Sequence, residues 1–435
     1  MTQHDTVGLT FDNLGIAPKL LSILESKKFT TPTPIQHQCI PSAIEGKDVV
    51  GIAQTGTGKT LAFGVPLLQR LALEKGQALI LIPTRELALQ VDETLKQIGT
   101  PLGLKTAVII GGASANNQIR DLKRNPHVII ATPGRLMDHL EQKVMKLDRI
   151  SIVVLDEADR MFDIGFFPVI KRILGMCPQQ RQTLMFSATM PPAIANLAAQ
   201  FMQMPLRIEV APAGTTAAGV EQEVFVLDKQ AKLPLLEKIL TDNKGTVLVF
   251  SRTKHGAKKI TAVVRAMGHT VTEIHSNRSL AQRKDAMAGF KSGKYRVLVA
   301  TDIAARGIDV TGISLVVNFD MPQNAEDYVH RIGRTARAGT TGKAVSFATP
   351  DQRGDIRQIE RLIKKTIPIL ALPTLPRKSD AVIRAEYMGG NDRDESPRQG
   401  GRRFSRPRSS GAPSGVSRGF SRSRSRPSGG RRFGR

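Results

Sequence analysis

The sequence contains no tryptophan, only three tyrosines and only two cysteines among its 435 residues. Cys39 and Cys177 lie far apart, which excludes a disulfide framework and a cysteine-based zinc site. The N-terminus has no basic start followed by an apolar run, and no stretch approaches the roughly 18 apolar residues of a membrane helix. We therefore expect a soluble, cytoplasmic protein without a membrane partner.

Positive charge is abundant and unevenly distributed. Lysine and arginine number 63 against 38 acidic residues, a formal net charge of +25. Residues 396–435 contain 12 arginines and no acidic residue, which leaves +13 for the first 395 residues. This excess indicates a polyanionic partner. Because few aromatic side chains are present to stack on bases, we expect contacts with the phosphate backbone of a nucleic acid.

Short apolar, β-branched runs alternate with helical patterns in two successive halves. The first half predicts strands at residues 49–52, 78–82, 106–110, 128–130, 152–155 and 183–186, separated by helices such as 61–72 and 86–98. The second half predicts strands at residues 223–227, 246–250, 271–274, 297–300, 315–317 and 344–348. The pattern predicts an α/β fold with doubly wound parallel sheets. In such sheets ligands bind outside the carboxyl ends of the strands, so two such edges can face each other across a cleft.

The composition also predicts the domain boundaries. We expect a first domain at residues 1–210, a linker of small residues at 211–219, a second domain at 220–375 and a tail at 376–435. Within residues 396–435, serine, glycine, proline and arginine account for 34 of 40 positions. Such a composition cannot bury a core, so the tail is predicted to be disordered.

The segment AQTGTGKT, residues 53–60, follows the first predicted strand and precedes a helix. Gly56 and Gly58 allow backbone N–H groups to surround phosphates, Lys59 supplies charge to the β- and γ-phosphates, and the Thr60 hydroxyl suits Mg²⁺. Ala53 stands where the strict pattern has glycine. A simple glycine turn before a helix is the alternative interpretation, but the strand–loop–helix context and the intact GKT favour a phosphate-binding loop.

Two further motifs complete a phosphoryl-transfer site. Asp156-Glu157-Ala158-Asp159 ends a predicted buried strand about 100 residues after the loop. Asp156 suits Mg²⁺ and Glu157 suits the attacking water, whereas a helix cap would explain one carboxylate but not three.

HRIGRTAR, residues 330–337, has three arginines three residues apart. Alone it indicates a solvated helix face; with a phosphate-binding loop across a cleft it indicates arginine fingers delivered on closure.

Together these motifs resemble those of the DEAD-box RNA helicases of superfamily 2, over about residues 9–374. Further motifs follow in the family's order: PTRELA at 83–88, Gly111-Gly112, TPGR at 132–135, SAT at 187–189, VFSRT at 249–253 and ATDIAARGIDV at 300–310. The resemblance implies two tandem RecA-like domains, ATP and Mg²⁺ as cofactors, and RNA as partner. It also implies RNA-stimulated ATP hydrolysis that locally unwinds short RNA duplexes or remodels RNA–protein complexes. The two-domain body with a short basic tail is most similar to the bacterial RhlE-like branch.

The resemblance further implies a role for each motif residue. The catalytic residues would be Lys59, Asp156, Glu157, Arg334 and Arg337, with Thr60 and Asp156 at the metal. The nucleotide-binding residues would be Phe29, Gln36, Ala53, Gln54, Thr55, Gly56, Thr57, Gly58, Lys59, Thr60 and Asp309. Phe29 would stack on adenine, Gln36 would read its edge and Asp309 would touch the ribose. The RNA-binding residues would be Pro83, Thr84, Arg85, Gly112, Thr132, Gly134, Arg135, Arg252, Thr253 and Thr301, and Ser187 and Thr189 would couple hydrolysis to strand release.

Three residues depart from the family pattern. Lys28 precedes Phe29 where glycine is common, and Ala336 replaces a glycine between the fingers. Leu280 replaces the glutamine three residues before Arg283, so an RNA contact is not expected there.

The residues leave some alternatives open. One is an RNA clamp or annealing chaperone for which ATP only times attachment, although an intact Glu157 and two fingers argue against it. Composition does not separate RNA from DNA; only the resemblance does. The arginine-rich tail either tethers RNA or solubilises the protein. Ribosome-assembly or RNA-degradation proteins are compatible partners, but the sequence names none.

Overall fold

Two parallel sheets of seven strands each form the framework of the protein. The computed structural model describes residues 9–54, 56–210, 219–305, 310, 312–336, 341–377 and 379–388. All of these belong to one unit, residues 1–391. We refer to the described residues up to 210 as the first domain and to those from 219 onward as the second domain.

The two sheets have the same topology. The strands of the first are β1 (Val49–Ile52), β2 (Gln77–Leu81), β3 (Thr106–Ile109), β4 (Val128–Ala131), β5 (Ile150–Leu155), β6 (Gln182–Ser187) and β7 (Leu206–Glu209), in the order β3-β4-β2-β5-β6-β1-β7. The strands of the second are β8 (Val220–Val226), β9 (Val247–Phe250), β10 (Val271–Ile274), β11 (Val297–Ala300), β12 (Leu315–Asn318), β13 (Gly342–Ala348) and β14 (Ile369–Leu370), in the order β10-β11-β9-β12-β13-β8-β14. If β8 to β14 are renumbered as β1 to β7, the two strand orders are identical.

Helices connect the parallel strands. In the first domain they are α1 (Pro18–Ser26), α2 (Pro34–Ile44), α3 (Lys59–Leu73), α4 (Arg85–Gly99), α5 (Ala115–Leu122), α6 (Pro133–Glu141), α7 (Ala158–Asp163), α8 (Phe167–Met176) and α9 (Pro192–Phe201). In the second they are α10 (Lys232–Asp242), α11 (Lys254–Ala266), α12 (Leu280–Lys291), α13 (Asp302–Ala305), α14 (Ala325–Ile332), α15 (Arg353–Ile363) and α16 (Asp380–Met388).

The apolar strands explain why each sheet is covered on both faces. β1, β4, β9, β11 and β12 are buried at every residue, as expected for parallel strands between two helical layers. Each domain has two main apolar clusters, one on either face of its sheet. The prediction of two tandem RecA-like domains is confirmed, and all twelve predicted strands are present with ends displaced by at most three residues.

Two strands were not predicted. β7 and β14 lie at the edges of their sheets and are largely exposed. Leu206–Glu209 alternates apolar and charged residues, and β14 has only two residues. Their strand structure comes from pairing with β1 and β8, so the local sequence gives little signal for either.

The predicted start of the disordered tail at residue 376 is wrong for α16. Val382 of this helix is 1% exposed and packs with Leu233 and Val263. Lys259 of α11 and Glu386 form an ion pair at 3.4 Å. The sequence does not predict α16, because a single buried valine and one ion pair leave no periodic pattern among the polar residues around them. Residues 211–218 of the predicted linker at 211–219, and residues 389–435, lie outside the described residues.

Within the part of the chain that the structure describes, no helix has the length and apolar character needed to cross a membrane.

Candidate active site and nucleic-acid interface

The loop between β1 and α3 has the geometry of a phosphate-binding loop. Gly58 has φ +86°, in the left-handed region, and a Cβ there would lie 2.3 Å from Gln36 Nε2. Both the backbone conformation and the close approach therefore require glycine. Lys59 opens α3, is 7% exposed and donates from Nζ to the carbonyl oxygen of Ala53 at 3.0 Å. The lysine thus lies over the loop that its own backbone forms.

Gln36 joins this loop to the segment that precedes α2. Its Nε2 donates to the Gly58 carbonyl at 3.0 Å, and its Oε1 accepts the N–H of Thr33 at 2.9 Å. The side chain is buried, while Phe29 is half-buried against the core of the first domain. The hydrogen bond to Gly58 therefore fixes the Gln36 side chain against the phosphate-binding loop.

Three carboxylates follow β5 within four residues. Asp156 and Glu157 are buried. Burial raises the pKa of Asp156 to about 6; the charge of Lys59 opposes this rise, and the charge of Glu157 adds to it. Glu157 has φ +53°, an uncommon conformation for a non-glycine residue. No described residue forms a hydrogen bond with its buried Oε2 atom. An unsatisfied buried carboxylate oxygen is costly, so Glu157 Oε2 is a candidate functional atom.

Asp159, the last residue of the acidic tetrapeptide, is bonded instead to the SAT segment after β6. Its Oδ2 accepts the N–H groups of Ala188 at 3.2 Å and Thr189 at 2.9 Å, and the Thr189 hydroxyl at 3.0 Å. Its own N–H donates to Ser187 Oγ at 3.2 Å. Four hydrogen bonds therefore link the segments that follow β5 and β6.

A cleft of about 450 Å³ brings the nucleotide motifs together. Lys59, Asp156 and Glu157 line it from the first domain, and Arg334 lines it from the second. The first domain contributes further motif and aromatic residues to the lining: Phe11, Phe29, Thr33, Gln36, Gly56, Gly58 and Thr60. The site thus combines a cationic loop, two carboxylates and an arginine supplied by the other domain.

A second arginine of the HRIGRTAR segment, Arg331 at the end of α14, is bonded within its own domain. Arg331 is 2% exposed. Its Nη2 donates to Asp302 Oδ2 at 2.7 Å in a bidentate pair, and its Nη1 donates to the Asp320 carbonyl oxygen at 2.6 Å. Of the three arginines in the motif, this one is therefore structural: it ties α14 to the segment after β11.

Comparison with known proteins identifies the family. The chain matches the DEAD/DEAH box helicase family model over residues 33–197 and the helicase conserved C-terminal domain model over residues 231–339. It is 43% identical over 369 residues to the DEAD-box ATP-dependent RNA helicase CshA of Bacillus cereus, covering 84% of this chain and 70% of the relative. The chain belongs to the DEAD-box ATP-dependent RNA helicases.

Other members of the family agree with this assignment. CshA of Geobacillus kaustophilus is 42% identical, covering 84% of this helicase and 79% of the relative. Among solved structures, S. cerevisiae Dbp5 bound to RNA and ADP BeF3 matches with a TM-score of 0.75 and 29% identity, covering 87% of this chain and 98% of Dbp5.

Two ion pairs that the sequence analysis missed join the domains of the helicase. Arg160, directly after the acidic tetrapeptide, pairs with Asp327 of α14, and both are buried. Arg283 of α12 pairs with Glu86 of α4 at 2.8 Å. Leu280 packs against the apolar core of the first domain. The available signal was position for two of these residues, because Arg160 directly follows the acidic tetrapeptide and Glu86 lies within PTRELA.

In the first domain, the predicted RNA-binding residues lie at the carboxyl ends of β2, β3 and β4. Thr84 caps α4 by accepting the N–H of Leu87 at 3.3 Å. The Arg85 guanidinium lies over Gly112, where a Cβ would be 2.4 Å from its Nη1. Arg135 Nη2 donates to the Ala113 carbonyl at 3.4 Å. Pro83 lies in the turn into α4, Thr132 directly precedes α6, and Gly134 lies in the first turn of α6.

In the second domain, the predicted RNA-binding residues follow β9 and β11. Arg252 is exposed, and its Nη2 donates to the Met321 carbonyl at 3.4 Å. Thr253 caps α11 through the N–H of Gly256 at 2.9 Å. Thr301 follows β11, and its N–H donates to the Ile274 carbonyl at 3.2 Å. Three other predicted site residues, Thr55, Asp309 and Arg337, lie outside the described residues.

Proposed function

We propose that this DEAD-box helicase hydrolyses ATP in the cleft between its two domains and uses closure of that cleft to separate short RNA duplexes locally. The observation that carries the proposal is Arg334 of the second domain, which lines the same cleft as Lys59 and Glu157 of the first. Neither domain alone supplies this set. Hydrolysis therefore depends on closure, and any ligand that stabilises the closed state stimulates it.

The donor set fits ATP with Mg²⁺. Mg²⁺ is usually bound by one or two carboxylates together with water and substrate phosphates, not by an all-protein cage. Asp156 and Thr60 line the same cleft. No group of three or more potential metal ligands among His, Cys, Asp and Glu occurs in the described residues. We assign Thr60 and Asp156 to the metal, which would neutralise charge on the phosphates.

The side chains in the cleft divide the chemistry between them. The buried Glu157 Oε2 has no partner among the described residues, so it is available to orient a water molecule and accept its proton. Lys59 and Arg334 line the same cleft, and we assign them to stabilise negative charge on the phosphates. Phe29 and Gln36 line the cleft, and we assign them to the adenine. We assign Asp309 to the ribose and Arg337 to the second finger.

RNA is assigned to the carboxyl edges of both sheets. Arg85, Gly112 and Arg135 of the first domain and Arg252, Thr253 and Thr301 of the second lie at these edges, where backbone N–H groups and cations suit phosphates. Dbp5 was solved with RNA and ADP BeF3, which supports the same ligands here. We assign the coupling between ATP hydrolysis and release of an RNA strand to the segments that the bonds between Asp159 and Thr189 join. The RhlE-like branch and a cytoplasmic location stay predictions from the sequence.

The test compares ATP turnover and duplex separation with and without RNA, in the wild type and in Arg334→Ala. We expect low turnover without RNA and strong stimulation by RNA. Loss of an arginine finger should lower stimulated turnover by about 10³-fold or more. Binding of a fluorescent ATP analogue should persist, because Lys59 and Gln36 are intact.

Two controls make the result specific. Arg124→Ala removes an exposed arginine whose ion pair with Asp121 lies on the surface, and it should change nothing. Arg334→Lys keeps the charge but not the planar fork and should restore little turnover. Equal turnover with and without RNA would refute the mechanism. RNA-stimulated turnover without duplex separation would favour the clamp, and equal stimulation by DNA would refute the RNA assignment.

A further inference from the structure

Helix α15 carries a cationic surface that the helicase motifs do not use. A hollow of about 350 Å³ is lined by Arg357, Glu360, Arg361, Lys364, Lys365 and Thr366, which we call the α15 hollow. All four cations are exposed, and none forms an ion pair or a side-chain hydrogen bond with a described residue. No aliphatic or aromatic side chain is among the six. The lining therefore suits a polyanion and offers little to an apolar peptide.

The single carboxylate of the hollow already has a structural role. Glu360 Oε1 accepts the N–H of Ile367 at 2.9 Å and so closes the turn after α15. Its carbonyl oxygen accepts the N–H of Lys365. The buried face of α15, with Ile356, Ile359 and Ile363, anchors the helix to the core. Two of the four cations thus lie on this anchored helix and two, Lys364 and Lys365, on the turn that follows it, with one acidic charge against four basic ones.

The topology separates this hollow from the RNA-binding motifs. α15 follows the carboxyl end of β13 and must run back before β14, because β14 is parallel to β8. The second half of α15 therefore lies toward the amino ends of the strands. Arg252 and Thr301 lie at the carboxyl ends. In the strand order of the second sheet, α15 lies near β13 and β8. The predicted RNA-binding residues follow β9 and β11, on the other half of the sheet.

We propose that the α15 hollow binds the phosphate backbone of RNA outside the motif groove and acts as a second anchor for extended or structured substrates. The proposal rests on the function proposed above, since it takes the same RNA as its ligand. Cations without partners contribute to RNA affinity mainly through release of counterions, which makes the contribution dependent on salt. The anchor adds affinity and leaves the chemistry in the cleft unchanged.

The experiment replaces all four cations in the full-length chain, as R357Q/R361Q/K364Q/K365Q. The matched control, K244Q/R265Q/K291Q/K294Q, removes four exposed cations of the same domain from other helices and turns. RNA affinity is measured over a range of salt concentrations for a short single strand and for the same strand extended by a hairpin. In the wild type, protection of Lys364 and Lys365 from acetylation is measured with each RNA and with polyglutamate.

We expect the α15 variant to bind the extended RNA more weakly, with a salt slope shallower by about 2 if three phosphate contacts are lost. Binding of the short strand and ATP turnover at saturating RNA should match the control. The extended RNA should protect both lysines, whereas the short strand should not. Circular dichroism establishes that both variants are folded; if the α15 variant does not fold, lysine protection in the wild type decides.

The outcomes separate this proposal from the one it rests on. RNA-stimulated turnover with equal salt slopes for the α15 variant and the control would overturn the anchor and leave the proposed function intact. Absence of RNA stimulation in the wild type would overturn the proposed function. Equal weakening toward both RNAs would mean a general charge effect, and protection by polyglutamate alone would mean an acidic protein as occupant; either result overturns the anchor.

Discussion

Arg283 of the second domain and Glu86 of the first form an ion pair at 2.8 Å, with about a tenth of each side chain exposed. Glu86 directly follows Arg85, which lies over Gly112. Burial lowers the pKa of Arg283, Glu86 acts to raise it, and Arg85 acts to lower it. Leu280, one turn earlier, packs on the first domain. The first turn of α12 therefore connects the second domain to the segment proposed to hold RNA.

Charge reversal tests this connection. Glu86→Arg or Arg283→Glu alone should disfavour the closed state, because a nearly buried charge without its partner costs about 3–5 kcal/mol. The RNA concentration for half-maximal ATP turnover should rise in each single variant. The double variant should recover part of the loss. If the double variant equals the sum of the two single variants, the residues do not interact during closure.

Glu157→Gln tests the proposed role of the unpartnered carboxylate. The amide is nearly the same size but does not accept a proton, so ATP binding should persist while turnover collapses. Binding is measured with a fluorescent ATP analogue and turnover by phosphate release. Glu141→Gln, an exposed glutamate paired with Arg172, is the matched control. Loss of nucleotide binding in Glu157→Gln would show that this residue holds the nucleotide.

Gln36→Ala tests the link between base recognition and the phosphate-binding loop. It removes the hydrogen bond to the Gly58 carbonyl at 3.0 Å. We expect weaker ATP binding and reduced preference for ATP over GTP, measured by competition. Gln69→Ala, which loses bonds to Ala17 and Gly15 away from the cleft, should keep the preference. Equal use of GTP and ATP by the wild type would refute the assignments of Phe29 and Gln36.

Thr189→Val tests coupling between hydrolysis and strand release. The substitution removes the hydroxyl bonded to Asp159 at 3.0 Å and leaves the backbone bond at 2.9 Å. RNA-stimulated turnover should stay near the wild-type value, whereas duplex separation should fall, because the two segments are then less firmly linked. Both activities are measured on one preparation. A parallel fall in both would place Thr189 in the chemical step.

Deletion of residues 396–435 tests the tail, which lies outside the described residues. It removes 12 positive charges and none of the catalytic residues named above. Maximal RNA-stimulated turnover should be unchanged, and RNA affinity should fall. The slope of log affinity against log salt should become shallower by about 0.7 for each lost phosphate contact to a single strand. Identical slopes would favour the solubilising role.

The sequence alone determined twelve of the fourteen described strands and the residues of the nucleotide motifs. Parallel strands buried on both faces are continuous apolar runs, and phosphate binding requires glycine, lysine and a hydroxyl at fixed spacing. Both are local constraints, so they are visible in a linear pattern. The roles of Asp159 and Arg331 are not local, because their partners lie about 30 residues away in other segments.

Only the tertiary structure decided the rest. Edge strands β7 and β14 exist because a neighbouring strand pairs with them, and α16 forms because Val382 finds a site beside Val263. The ion pairs Arg160–Asp327 and Arg283–Glu86 join residues 167 and 197 positions apart in the chain. The sequence does not distinguish a charged residue that faces solvent from one that faces another domain. Because these four charged residues are buried between the two domains, their ion pairs depend on closure of the cleft.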